Sequence, residues 1–243
     1  MPWAWWIVLP TSVWVIYTCD HLFDAVKGGN DSKLDRHDFH RRYFKILAIL
    51  FIAIGIISFW IAAFYLVGVI RNYGIVISCL CVLYLLYSYY FKNYVLPKEV
   101  LVAVIYTLGI WFGPMLISKS VISIQEWMLI LLTFFTALNN LVLFSIFDQH
   151  FDMKKGFDSI AVQFGAGVNR IFNWQISLTC FLICISLYLT SEAGKFFWEH
   201  IIFILINSVL LLLYLKQDYF AKKEKYRIIG DGIFILPLLL IFV

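Results

Sequence analysis

Between Lys45 and Arg71 the chain carries no charged side chain at all. An apolar run of that length is long enough to cross a hydrocarbon core of about 30 Å as a helix. Comparable runs recur along the sequence, at roughly 3–24, 44–69, 73–91, 99–117, 124–148, 170–190, 197–215 and 228–243. A membrane β-barrel would alternate apolar and polar residues in segments of about ten. Continuous runs need a backbone that satisfies its own N–H and C=O groups in lipid, which a helix does. Composition agrees, with 63% hydrophobic and 14% charged residues and a mean hydropathy of +0.87. Soluble domains are about half apolar and about a quarter charged. These values exclude a soluble globular enzyme, a disordered chain and a nucleic-acid-binding domain. The expected fold is all-α: a polytopic transmembrane helical bundle of about eight spans, forming a single domain over 1–243.

The basic residues give the bundle an expected orientation. Of the 19 Lys and Arg residues, only Arg71, Lys119 and Lys195 fall on one side of the spans. The other side is expected to be cytoplasmic, because Lys and Arg concentrate in cytoplasmic loops. Both termini then face the opposite side. The N-terminal run lacks a basic leader and ends in an acid pair, so it is expected to be retained rather than cleaved as a signal. Its Trp3, Trp5 and Trp6 suit an interfacial anchor. The five cysteines, all in apolar runs, show neither metal-ligand spacing nor a disulfide framework.

The acids are placed less comfortably. Asp20 and Asp24 close the first run, and Asp148 and Asp152 close the fifth. Each pair is spaced i, i+4, so two like charges share one helix face and repel. Acids at a helix C-terminus also oppose the helix dipole, and ionised groups at the edge of the hydrocarbon are costly. The surroundings match too: Asp20-His-Leu-Phe-Asp24-Ala-Val-Lys27-Gly28 and Asp148-Gln-His-Phe-Asp152-Met-Lys-Lys155-Gly156 both fit D-x-x-F-D-x-x-K-G. The repetition suggests two four-helix pseudo-repeats, about 1–118 and 119–243, around a central cavity. Carboxylates are hard oxygen ligands suited to Mg²⁺, which commonly bridges one or two of them to substrate phosphates. Nearby Lys and Arg would neutralise the remaining phosphate charge. A diphosphate in an apolar bundle points to an isoprenoid diphosphate, its tail among the helices and membrane lipid.

The segment Asp148-Gln-His-Phe-Asp152-Met-Lys-Lys-Gly156-Phe-Asp158-Ser159-Ile-Ala-Val162-Gln-Phe-Gly165 resembles the second motif of the UbiA-type intramembrane prenyltransferase superfamily. In that motif Asp148, Asp152, Gly156, Val162 and Gly165 match, and Ser159 stands where Thr is usual. Tyr89-Tyr90-Phe91-Lys92, followed by Pro97-Lys98, is similar to the family's tyrosine- and lysine-bearing loop. The first motif is looser: Asp20 and Asp24 fit its last two acids, while Ile16 and Tyr17 replace the first two positions. Asp158 and Ala161 stand where Lys and Pro are common, and one helix fewer than the family's nine is expected.

The resemblance implies an enzyme of a bacterial inner membrane, with its active-site loops cytoplasmic. Its Mg²⁺ would be held by Asp20, Asp24, Asp148 and Asp152, which would carry the catalysis. The diphosphate would be met by Lys27, Arg36, Arg41, Lys92, Lys154 and Lys155. Tyr17, Tyr89, Tyr90, Asn140 and Phe144 would line the cavity and stabilise an allylic cation through their π-faces and dipoles. His37 or His40 could take the last proton, and Asp231 could partner a basic residue. The implied reaction transfers an isoprenoid chain to an acceptor, most naturally an aromatic one. A UbiA-like terpene cyclase is the alternative. A cation-coupled transporter fits less well, because its acids should lie near the membrane midplane.

Overall fold

A computed structural model describes residues 2–27, 39, 42–90, 97–118, 121–190 and 196–242. Among these residues every regular element is helical and no strand occurs. The long helices are α1 (Trp3–Lys27), α2 (Phe44–Tyr65), α3 (Gly68–Tyr90), α4 (Lys98–Ser118) and α5 (Ile124–Lys155). They are followed by the short α6 (Ile160–Phe164), then α7 (Val168–Thr190) and α8 (Phe197–Leu215), the short α9 (Gln217–Phe220) and α10 (Lys225–Gly232). A 3₁₀ segment, Ile233–Phe242, ends the description.

Among the described residues six helices are long and apolar enough to cross a membrane: α2, α3, α4, α5, the combined stretch Ile160–Thr190, and α8. This marks an integral membrane protein, with six such helices where eight spans were expected. The two runs that fall short do so for different reasons. α1 is continuous over 25 residues, but Pro10, Thr11, Ser12, Thr18, Asp20, His21 and Asp24 dilute its apolar character. The last run is 3₁₀ over 10 residues and holds Pro237. Proline supplies no N–H, and 3₁₀ backbone rises only about 2 Å per residue, so the segment spans roughly 20 Å.

The chain divides into two compact units. One comprises Met1–Phe91 and Leu108–Ser120. In it α1 packs against α2, with Ala4, Leu66 and Ile70 buried between Trp5, Val8, Ile61 and Ala62. Thr11 donates to the Ser58 hydroxyl across this seam at 2.9 Å. Gly113 lets the Trp5 ring come close: a Cβ there would lie 2.5 Å from it.

The second unit comprises Lys92–Thr107 and Val121–Val243. α5 is its central helix and packs against α6, α7, α8 and α10. Its start is fixed by a capping box between Ser123 and Glu126. At 32 residues it is about 48 Å long, well beyond a hydrocarbon core of about 30 Å. Leu138, Val142, Leu143, Phe172, Ile206 and Leu210 fill its core. A buried polar ladder crosses that core. Asn139 donates to Thr179 at 2.9 Å and to Asn207 at 3.1 Å, and Asn207 donates to Thr136 at 2.9 Å. Farther along, His200 is fully buried, with its ring nitrogens against Ser186 and the carbonyl of Phe196.

Candidate functional site

The C-terminal half of α5 presents Asn140, Phe144, Phe147, Asp148 and Asp152 at helical spacings of three, four and one, which gathers them on one side. α10 meets that side with Tyr226, Arg227 and Gly230. Gly230 allows the approach: a Cβ there would lie 2.5 Å from the Phe144 ring and 3.0 Å from the Asn140 Oδ1. The Tyr226 ring stacks on Phe147, with centroids 4.2 Å apart and planes 8° from parallel, and meets Phe144 edge-on at 5.5 Å.

This packing delivers two donors to one carboxylate. The Tyr226 hydroxyl donates to Asp148 Oδ1, and Arg227 Nη2 donates to Asp148 Oδ2 in an ion pair. Arg227 Nε also donates to the Tyr226 oxygen at 3.3 Å. The guanidinium lies 5.1 Å from the Phe144 ring centroid and 5.5 Å from that of Tyr226, within cation–π range. Asp148 is buried, at 6% exposure. A buried carboxylate is tolerable only when it is paired and hydrogen-bonded, and these two residues meet that requirement.

One turn on, Asp152 is equally buried, at 7% exposure. Its carbonyl accepts from the Gly156 and Phe157 N–H groups, which closes the helix. Gly156 holds φ +67°, the left-handed conformation in which glycine is favoured at this position. The chain then turns back into α6. Ile160 N–H donates to Glu99 Oε1 at 3.0 Å, Ala161 N–H to the Ser145 hydroxyl at 2.9 Å, and Gln149 to the Ala161 carbonyl at 2.7 Å. Glu99 is buried, and among the described residues its Oε2 has no hydrogen-bond partner; neither does the neighbouring Ser159 hydroxyl.

The other sequence-derived candidates are placed as follows. Asp20 lies half-buried on α1, one turn from Asp24. Tyr17, also on α1, is exposed and meets the His21 ring edge-on at 4.2 Å. Lys154 is exposed at the end of α5, and Phe144 and Asn140 are buried. Asn140 Oδ1 has no hydrogen-bond partner among the described residues. The backbones of Asp24, Lys27, Tyr89, Tyr90 and Lys155 are helical, but their side chains lie outside the description. Arg36, Arg41, Lys92, His37 and His40 lie outside the described residues. Asp20 and Tyr17 belong to the first unit, and Asp148, Asp152, Lys154, Asn140 and Phe144 to the second.

Reading the sequence missed Tyr226, Arg227, Gly230 and Glu99. Arg227 follows Lys222, Lys223 and Lys225 and passes for one more charge in a basic loop. The available signal was the spacing of Tyr226, Gly230 and Ile233 at i, i+4 and i+7, a helical face that the structure buries.

Asp148 and Asp152 fit a metal in a limited sense. Among the described residues no group of three or more His, Cys, Asp or Glu side chains could hold an ion. Mg²⁺ rarely needs such a cage, since one or two carboxylates suffice when phosphate and water supply the rest. The donor set therefore suits Mg²⁺ that arrives with a phosphate. Comparison of the chain with family models, curated proteins and solved structures returned no match.

Proposed function

We propose that this protein is a Mg²⁺-dependent intramembrane prenyltransferase of the UbiA type. It would move an isoprenoid chain from a prenyl diphosphate to an acceptor, most naturally an aromatic one. One observation carries the reading. Asp148 and Asp152 are buried one turn apart at the end of a membrane-length helix, with an arginine held across the first.

In this reading Asp148 and Asp152 would hold a Mg²⁺, which would supply Lewis-acid stabilisation of a departing pyrophosphate. Asp20 and Asp24 form a second carboxylate pair of the same chemistry on α1. Lys154 contributes positive charge at the end of α5, where the diphosphate's remaining charge needs it. The C–O bond of the substrate breaks, its electrons leave with pyrophosphate, and an allylic cation remains. Phe144, buried beside the carboxylates, offers that cation a π-face away from water. The acceptor's electron pair then forms the new bond, and the acceptor loses a proton. The excess of Lys and Arg on one side of the spans supports a cytoplasmic position for this chemistry, in this reading at a bacterial inner membrane.

The test is incubation of the purified protein with geranyl, farnesyl and geranylgeranyl diphosphates, with and without Mg²⁺. Released pyrophosphate and extracted lipids are measured together. Mg²⁺-dependent binding that yields product once an acceptor is supplied supports a transferase. A cyclic hydrocarbon formed without acceptor would make the protein a cyclase. No binding of any of the three would remove the diphosphate reading.

A further inference from the structure

The Asp148–Arg227 pair has an unused half. Asp148 has both oxygens engaged, one by Tyr226 and one by Arg227. Arg227 is the opposite case. Its Nε and Nη2 are engaged, its Nη1 makes no hydrogen bond to the described residues, and its side chain keeps 17% exposure against 8% for that of Asp148. A guanidinium presents five N–H donors in a planar fork matched to phosphate. One arm of this fork rests on a carboxylate and the other is open.

We propose that Arg227 is a phosphate-binding residue whose resting partner is Asp148, and that exchange of this partner makes a divalent cation and a diphosphate bind together. The inference rests on the diphosphate reading above and adds a residue and a rule of binding to it. A divalent cation alone must displace Arg227 from Asp148. That leaves a guanidinium, packed between Phe144 and Tyr226, without a counter-ion, which is strongly unfavourable. A diphosphate alone brings negative charge toward Asp148 and Asp152, which repel it. When both arrive, the cation takes the carboxylate and Arg227 turns its fork to a phosphate oxygen. No bond to carbon forms or breaks in this exchange; only the partners of the charges change. Coupling of this kind is reciprocal, so each ligand tightens the other by the same factor.

The experiment uses the full chain in detergent micelles and reads binding rather than turnover. Mn²⁺ replaces Mg²⁺ for binding by electron paramagnetic resonance in the absence of phosphate. Radiolabelled inorganic pyrophosphate is titrated with Mg²⁺ and with chelator. Wild type is expected to bind pyrophosphate at least tenfold more tightly with Mg²⁺ and to bind Mn²⁺ alone weakly. Arg227→Gln is expected to lose at least tenfold in pyrophosphate affinity and to gain at least tenfold in affinity for Mn²⁺ alone, since Asp148 Oδ2 loses its cationic partner. The gain in Mn²⁺ affinity reads the resting pair with Asp148, and the loss of pyrophosphate affinity reads the role toward phosphate; an arginine that only paired Asp148 would give the gain without the loss, which would overturn the proposal. If Arg227→Gln does not fold, Arg227→Lys retains the charge without the fork. It should weaken pyrophosphate binding while Mn²⁺ alone still binds weakly. Variants within threefold of wild type in both measurements overturn the role of Arg227 and leave the diphosphate reading standing. A wild-type protein that does not bind pyrophosphate with Mg²⁺ overturns that reading, and this inference with it.

Discussion

Tyr226 lies parallel to Phe147, ring on ring at 4.2 Å, and the same side chain donates its hydroxyl to Asp148, the next residue of α5. One residue of α10 thus joins an apolar contact to a charged one. Tyr226→Phe separates the two, because the stacking remains and the hydroxyl is lost. Hydrogen bonds to charged groups contribute about 1.5–3 kcal/mol, so a loss of about 2 kcal/mol in stability is expected. Tyr226→Leu, which also removes the stacking, should cost more. Thermal unfolding in micelles reads both. Equal melting temperatures for Tyr226→Phe and wild type would show that the hydroxyl contributes nothing to holding Asp148.

Gly230 offers a test of how α10 docks. A methyl group at this position would meet Phe144 at 2.5 Å and Asn140 at 3.0 Å. Overpacking of this kind costs about 1–3 kcal/mol. Gly230→Ala should therefore lower stability, although alanine favours an isolated helix by about 1 kcal/mol. It should also loosen the Asp148–Arg227 pair, which is held by the same helix. A Phe144→Leu background gives the methyl room and should recover part of the loss. A more stable Gly230→Ala protein would mean that α10 does not pack on α5 as described.

Much of this architecture could be read from the sequence, and the limits have physical causes. Six runs became membrane-length helices because apolar length is a local property that survives any tertiary arrangement. Two further expected runs are not among the six. α1 carries too many polar residues, and around Pro237 the backbone is 3₁₀ rather than α. The Asp148–Asp152 pair was visible because i, i+4 spacing puts two charges on one face whatever surrounds them. Its partner was not, because Arg227 is 79 residues away from Asp148 and stands in a run of lysines. Glu99 was overlooked for a similar reason. A lone acid after Pro97-Lys98 reads as a solvated helix start until the return of the chain at Ile160 covers it.

That covering makes Glu99 a sensitive position. One of its oxygens accepts from the Ile160 N–H at 3.0 Å, and the other is buried without a hydrogen-bond partner among the described residues. Glu99→Ala orphans a buried N–H and should cost about 1–3 kcal/mol. Glu99→Gln keeps an oxygen that accepts from the Ile160 N–H, so the turn should hold. Hydrogen exchange at the Ile160 and Ala161 amides separates the two cases. Faster exchange is expected in Glu99→Ala alone. Equal protection in both variants would mean that the carboxylate does not hold the turn.

The polar ladder deeper in α5 should behave differently from the charged site. Asn207 of α8 links two α5 side chains, accepting from Asn139 and donating to Thr136. Bonds between membrane helices average about 0.6 kcal/mol and reach about 1.7 kcal/mol. Asn207→Leu breaks both links and leaves Thr136 without this donor, so a loss of about 1–2 kcal/mol is expected. Asn139 lies nine residues from Asp148 along α5, about 13 Å at the α-helical rise. The substitution should therefore spare Mg²⁺-dependent pyrophosphate binding while lowering the melting temperature. A double-mutant cycle with Asn139→Leu isolates the pair, and the two losses should fall short of additive because both remove the same bond. Strict additivity would mean that the two amides do not interact. Loss of pyrophosphate affinity in Asn207→Leu at unchanged stability would instead place the ladder within the binding site.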